Sequence, residues 1–228
     1  MDKLRRFIPL PEQSFFLFGP RGTGKSTWLR QVFPDALFLD LLDPAVHRSL
    51  EARPERLIEL VTASPEAEIV VVDEVQRVPE LLSAVHSLIE TRPGLRFVLT
   101  GSSARKLRRG GVNLLAGRAL NRSLHPFMAA ELPVFDLTHA LRFGMLPLVW
   151  ASPQPADVLA TYASLYLDQE IRMEGWARDA GSFARFLEAV SFSHASVLNA
   201  AEVARECEVE RRTVVRYLEV LEDLLLSF

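Results

Sequence analysis

"FFLFGPRGTGKSTWLRQVF", residues 15–33, runs a short apolar stretch into a glycine-studded loop and then into a segment with helical spacing. Gly19-Pro20-Arg21-Gly22-Thr23-Gly24-Lys25-Ser26 satisfies every defined position of the pattern G-x-x-x-x-G-K-[ST], behind an expected strand and ahead of an expected helix. Gly19, Gly22 and Gly24 let the backbone turn so that successive N–H groups face one anion, and the helix that follows adds its positive N-terminal end. Lys25 then supplies a mobile charge for the β and γ phosphates of a nucleotide. Ser26 supplies a hydroxyl for Mg²⁺, and Thr27 completes the loop.

Working outward, the first part of the chain alternates β-branched or aromatic runs with helix-like segments, the rhythm of βα units on a parallel sheet. Strands are expected at 14–18, 36–41, 68–72 and 96–100, and helices at 25–32, 55–63 and 80–91. "EIVVVDE" and "RFVLTGS" are nearly solid apolar runs that end in polar residues, as strands covered on both faces do. Active groups should then lie at their C-terminal ends.

Hydrolysis of a bound nucleotide needs a carboxylate for the metal and a base for the attacking water. "IVVVDEVQ" offers both in adjacent positions, Asp73 for Mg²⁺ and Glu74 for water; solvated punctuation at a strand end would use the same letters. "RFVLTGSS" finishes in Thr100, Ser102 and Ser103. A strand inserted between those that carry the loop and the acidic pair would bring one of these hydroxyls to the γ-phosphate, although turn-forming Ser/Gly chemistry explains the same residues.

After about Leu132 the pattern changes to helix upon helix, with prolines at 133, 147, 153 and 155. The expected organisation is a core over 1–132, a helical connection over 133–180 and a helix-turn-helix-like segment over 181–228. Val158, Tyr162, Leu165 and Tyr166 recur at helical spacing and are expected to be core. In "NAAEVARECEVERRTVVRYLEVL", Val203, Ala204, Cys207, Val209, Val214 and Tyr217 fall on the buried positions of a helix-turn-helix. Arg211, Arg212, Thr213 and Arg216 then line the outer face of its second helix, where such a helix meets the major groove. Glu208 stands at the turn position usually filled by glycine, and Glu202, Glu206 and Glu210 bring negative charge nearby. Contact with nucleic acid through Arg211, Arg212 and Arg216 and docking on a protein partner both remain open here.

Composition adds bounds rather than function. With 228 residues, 49% hydrophobic and 24% charged, and a net charge of −3, the chain is ordinary for a globular protein. No apolar run approaches the ~20 residues of a membrane span. The basic start "MDKLRRFIPLPEQ" meets Pro9 too soon for the apolar region of a signal peptide. Cys207, the single cysteine, rules out an internal disulfide and suits a reducing compartment. Cytoplasm is the expectation. The five histidines have no ligand spacing, so no zinc site is expected. Glu170 and Glu174 share a helix face and read as a wetted edge, as does the basic run "ARKLRRGG" at 104–111.

"GPRGTGKST", "FLDLLDP", "VVDEVQRVPELL", "RFVLTGSSARKLRRGGVNLLAGRA" and "HPFMAAEL", in that order, resemble the AAA-type ATP-binding proteins of prokaryotes that carry an uncharacterised domain behind the ATPase core. The resemblance implies an α/β P-loop core of the additional-strand class and a helical, winged-helix-like C-terminal region. It implies ATP and Mg²⁺ as ligands, Lys25 and Ser26 as Walker A residues and Asp73 and Glu74 as Walker B residues. It puts Ser102 or Ser103 in the sensor role. Arg118, in "AGRA", falls where such proteins place an arginine that touches the γ-phosphate, in cis or from a neighbouring subunit of a homo-oligomer; an ordinary surface salt bridge is the alternative. Family members continue past the helical segment into a wing and a nuclease-like domain, so on this basis the chain is expected to be a truncated form.

The function expected is a Mg-dependent ATPase that works as a nucleotide-driven switch or motor on a protein or nucleic-acid partner. The alternatives are a small-molecule P-loop kinase and an ATP-liganded, non-enzymatic DNA-binding regulator.

Overall fold

A computed structural model of the protein describes residues 6–102, 107, 115–166, 180–193 and 196–223. The chain divides into two compact units, Met1–Trp150 and Ala151–Phe228. In the first, the strands are β1 (Phe15–Phe18), β2 (Leu37–Asp40), β3 (Ile69–Asp73), β4 (Arg96–Gly101) and β5 (Leu120–Ser123). Its longer helices are α1 (Lys25–Val32), α2 (Pro44–Ala52), α3 (Arg56–Ala63) and α4 (Leu81–Thr91), followed by the short α5 (Leu137–Phe143) and α6 (Pro147–Trp150).

The strands form one parallel sheet in the order β2-β3-β4-β1-β5. Strand β4 thus lies between the strand that leads into the glycine loop and the strand that ends in the acidic pair. β1 is buried throughout, and β3 and β4 are buried beyond their first residues. Successive side chains face opposite ways. Phe15 and Leu17 join Val71 and Val98 against Trp28 and Leu29 of α1, whereas the rings of Phe16 and Phe18 stack on each other at 5.5 Å.

Against expectation β1 loses its first residue, β2 one at each end, β3 is shifted by one and β4 runs one residue further. Ser14 and Leu41 fall just outside, yet each still gives a ladder-like bond, Leu120 N–H to Ser14 O at 3.0 Å and Leu41 N–H to Asp73 O at 3.2 Å. Two elements are unforeseen. Helix α2 starts at a strong signal, Asp43-Pro44, with the Asp43 carboxylate accepting from Ala45 N–H at 2.7 Å and Val46 N–H at 3.4 Å. Strand β5 has one apolar residue, Leu120, and alternates between partly buried and exposed residues, the pattern of an edge.

The first unit also runs on past Leu132 to Trp150. Phe127 N–H donates to Met145 O at 2.8 Å, and Leu148 N–H donates to Gly22 O at 3.2 Å, so α6 is tied to the glycine loop.

The second unit contains α7 (Pro155–Thr161), a π-helical turn (Tyr162–Tyr166), α8 (Ala180–Ser191), α9 (Ala200–Glu206) and α10 (Arg211–Asp223). Phe183 and Phe186 of α8 close on Val203, Ala204, Cys207, Val214, Tyr217 and Leu221, with Val209 partly buried beside them. The Phe183 and Tyr217 rings meet edge-on at 4.9 Å. Burial raises the pKa of the Cys207 thiol, so the reactive thiolate is disfavoured there. Val158 and Tyr162 are half-buried. The side chains of Leu165 and Tyr166, as well as Glu170, Glu174 and all of 104–111 but Leu107, lie outside the described residues. Among the described residues of this unit no strand forms a wing, and in the whole chain none of the described helices is long and apolar enough to cross a membrane.

Asn199 caps α9 by accepting from Ala201 N–H at 3.1 Å and Glu202 N–H at 3.4 Å. Between α9 and α10 the chain reverses through Glu208 at φ 55°, a left-handed conformation that costs a side-chain-bearing residue ~1–2 kcal/mol. Glu208→Gly should therefore stabilise the protein by about 1 kcal/mol, read as a higher midpoint for this unit in urea denaturation. An unchanged or lower midpoint would contradict the strain assigned to that turn.

Candidate functional site

The glycine loop and the acidic pair lie at the same C-terminal edge of the sheet, one on each side of β4. Two interstrand spacings, about 10 Å, separate β1 from β3. The loop is held by its carbonyls. Lys25 Nζ donates to Gly19 O at 2.7 Å and Pro20 O at 3.2 Å, and Thr23 Oγ1 donates to Pro20 O at 2.8 Å. Leu148 N–H takes Gly22 O, Arg6 Nη1–H takes Thr23 O at 3.0 Å, and Trp28 N–H takes Gly24 O at 2.9 Å.

Within the loop Thr23 N–H donates back to Pro20 O at 3.4 Å, and glycine-rich loops of this kind turn successive amide N–H groups toward an anion. Gly24 precedes α1 at φ 83° with no side-chain cap, and no acidic residue stands in the first turn. The helix N-terminus is thus left to a ligand. Gly19 is required for another reason: a Cβ there would sit 2.3 Å from Leu124 O, where β5 closes against the loop. Ser26 is half-buried, while Arg21 and Thr27 are exposed.

Across β4, Asp73 is buried. Thr100 Oγ1 donates to Asp73 Oδ1 and accepts from Glu74 N–H at 2.9 Å, so one hydroxyl grips both members of the pair. Thr100 is therefore turned toward the acids. Glu74 is left-handed at φ 61°, a strained conformation that the Thr100 contact helps to hold. Its carboxylate accepts from Gln76 Nε2, which also lies 3.5 Å from Ser102 Oγ. Gly101 makes room for that amide, since a Cβ on it would meet Gln76 Oε1 at 2.6 Å. Ser102 is buried at the end of β4; Ser103 lies outside the described residues.

Arg118 stands two residues before β5, and so at the opposite, N-terminal edge, about 13 Å away along a four-residue strand. There its Nε donates to Glu90 near the end of α4, and this bond holds the Glu90 carboxyl below its usual range. Of the readings the sequence allows for Arg118, the one present in this chain is a surface salt bridge, made at the sheet edge opposite the glycine loop. Among the described residues no three His, Cys, Asp or Glu side chains cluster as a ready-made metal site. A divalent ion here would rest on Ser26 and Asp73 together with phosphate oxygens, which suits Mg²⁺.

The family profile of the AAA domain matches residues 11–133, from ahead of β1 to beyond β5. The chain belongs to the AAA-domain family. A second profile, a domain of unknown function, matches residues 134–228 of this AAA protein. Two uncharacterised mycobacterial proteins, Mb2031c of Mycobacterium bovis and Rv2008c of Mycobacterium tuberculosis, are each 27% identical over 217 residues. That match covers 92% of this chain and 47% of theirs, so the chain spans about half the length of the curated relatives it matches. The fold is similar to that of a Walker-type ATPase of Pyrococcus abyssi, with a TM-score of 0.63 at 15% identity, over 92% of this chain and 84% of that one. The fold and family are those of a P-loop ATPase with an uncharacterised helical region behind its core.

Sequence reasoning passed over three residues of this site. Gln76 was within reach, as the polar residue two beyond Glu74. Arg6 and Glu131, a buried pair under the loop, carry no local signal because they are 125 positions apart.

Replacing Thr100 by valine keeps the shape but strips the acidic pair of its shared partner. Thr100→Val should cost ~1–3 kcal/mol through the Glu74 N–H and Asp73 oxygen left unbonded, measured by urea denaturation. A wild-type midpoint would show that water replaces the hydroxyl without loss.

Proposed function

We propose that the protein is a Mg-dependent ATPase that uses its nucleotide state to act on a partner. The observation that carries this is the shared sheet edge, where a loop whose carbonyls are engaged faces Asp73 and Glu74 across β4. Backbone N–H groups of the loop and the N-terminus of α1 bind the β-phosphate, with Lys25 reaching the γ-phosphate. Ser26 and Asp73 would hold Mg²⁺, which when bound withdraws charge from the phosphate oxygens.

Glu74 orients a water and accepts its proton as the water oxygen attacks the γ-phosphorus and the bond to the β-phosphate oxygen breaks. Gln76 fixes the direction of the Glu74 carboxylate, and Ser102, next to Gln76, is the hydroxyl suited to register the γ-phosphate. Charge neutralisation within one chain falls to Lys25 and the ion, since Arg118 faces away.

Glu74→Gln should keep ATP bound and lower its hydrolysis by roughly 10²-fold or more, whereas Lys25→Ala should weaken binding itself. Phosphate release and equilibrium titration with ATP, measured side by side, distinguish the two. Wild-type turnover by Glu74→Gln would end this assignment of the base.

One observation favours nucleic acid as the partner. Arg211, Arg212 and Arg216 are exposed on α10, the second helix of a helix-turn-helix whose other face is core. If these arginines meet phosphates, Arg211→Ala with Arg216→Ala should weaken duplex DNA binding and flatten its salt dependence by ~2 in log–log slope. A full chain without salt-dependent affinity for DNA would point instead to a protein partner.

A further inference from the structure

The buried pair beneath the glycine loop is used neither by the chemistry above nor by any motif. Arg6 and Glu131 side chains are 6% and 3% exposed, and Arg6 Nε lies 3.1 Å from Glu131 Oε2. This contact is an ion pair whose angle does not make a hydrogen bond. Burial draws the Arg6 guanidinium below its ordinary pKa, and the Glu131 carboxylate opposes that shift.

The carboxylate is itself fixed, accepting from Phe7 N–H at 2.7 Å and Met128 N–H at 3.0 Å. The guanidinium stands 4.9 Å from the centre of the Phe127 ring. Its two terminal nitrogens reach two different segments: Nη2 donates to His125 O just beyond β5, and Nη1 donates to Thr23 O inside the glycine loop.

The last contact has a directional consequence. A trans peptide is a rigid plate whose C=O and N–H point opposite ways. The plate that carries Thr23 C=O also carries Gly24 N–H, so drawing the carbonyl outward to Arg6 turns the Gly24 amide inward. The plate needs such a hold, because Gly24 is left-handed at φ 83° and glycine tolerates several orientations at little cost. Glu131 largely cancels the positive charge nearby, so orientation rather than attraction is what Arg6 contributes.

Building on the nucleotide-binding reading above, we propose that Arg6 is a positioning residue of the phosphate site: held by Glu131, it locks the Thr23–Gly24 peptide so that the Gly24 N–H faces the phosphate.

Three variants of the full chain test this by calorimetric titration with MgADP: Arg6→Gln, Arg6→Lys, and Phe127→Leu, which loosens the packing without touching Thr23. Arg6→Gln should weaken ADP binding by about 10-fold, as expected for one charge-assisted bond. Arg6→Lys, which keeps one donor and the charge, should restore part of it, and Phe127→Leu should bind as wild type.

The Gly24 amide proton gives a second readout. Its resonance should move downfield when ADP binds the wild type and much less in Arg6→Gln. Unchanged affinity and Gly24 shift in Arg6→Gln would overturn the proposal, as would an equal loss in Phe127→Leu. If Arg6→Gln does not fold, Arg6→Lys decides, since wild-type affinity with an unmoved Gly24 resonance would overturn it equally. A wild-type protein that takes up no ADP would sink the nucleotide reading along with it, whereas wild-type binding with indifferent variants sinks this inference alone.

Discussion

The hydrogen bond that the Thr100 hydroxyl gives to Asp73, and the one it accepts from the Glu74 amide, are the constraint on which the site depends. Thr100 sits on the strand that pairs with β1 on one side and β3 on the other, so the position of the acidic pair relative to the loop is set by sheet hydrogen bonds in a buried core. Such a separation cannot drift by an ångström without breaking ladder bonds, and that rigidity is what pre-organised chemistry requires. The left-handed Glu74 is held in strain at the point where the chain leaves this framework, where strain clusters in functional sites.

On the other side of β4 the same economy of polar groups governs the loop. Five of its carbonyls, from Gly19, Pro20, Gly22, Thr23 and Gly24, have donors, supplied by Lys25, Thr23, Leu148, Arg6 and Trp28. A backbone that has engaged its acceptors in this way presents its donors to whatever lies opposite. Two of the partners come from far along the chain, Arg6 from ahead of β1 and Leu148 from α6. The first unit therefore closes around the loop with segments that a minimal βα core would lack.

Much of this was legible beforehand. The strands at β1, β3 and β4 and the helices α1, α3 and α4 were anticipated to within a few residues, because solid apolar runs with glycine or acidic ends admit few other conformations. The buried positions of the helix-turn-helix followed from spacing too, with Val203, Ala204, Cys207, Val214 and Tyr217 all inside. Strand β5 escaped because three of its four residues, Asn121, Arg122 and Ser123, are polar. Helix α2 is a different matter, since Asp43-Pro44 is a readable start. Arg118 marks another limit: a short motif names a residue but not the edge of the sheet on which it will stand.

What the sequence by itself determined was local: a loop able to bend around an anion, acids at the end of a strand, and helices with one apolar face. Backbone freedom at glycine and the periodicity of apolar residues act over a few positions, so both can be read along the chain. What only the tertiary structure decided was which distant groups share an edge: β4 between β1 and β3, Arg118 turned away, and the Arg6–Glu131 pair seated under Thr23. Those outcomes depend on strand order and on the packing of segments more than a hundred residues apart, and no local pattern encodes them.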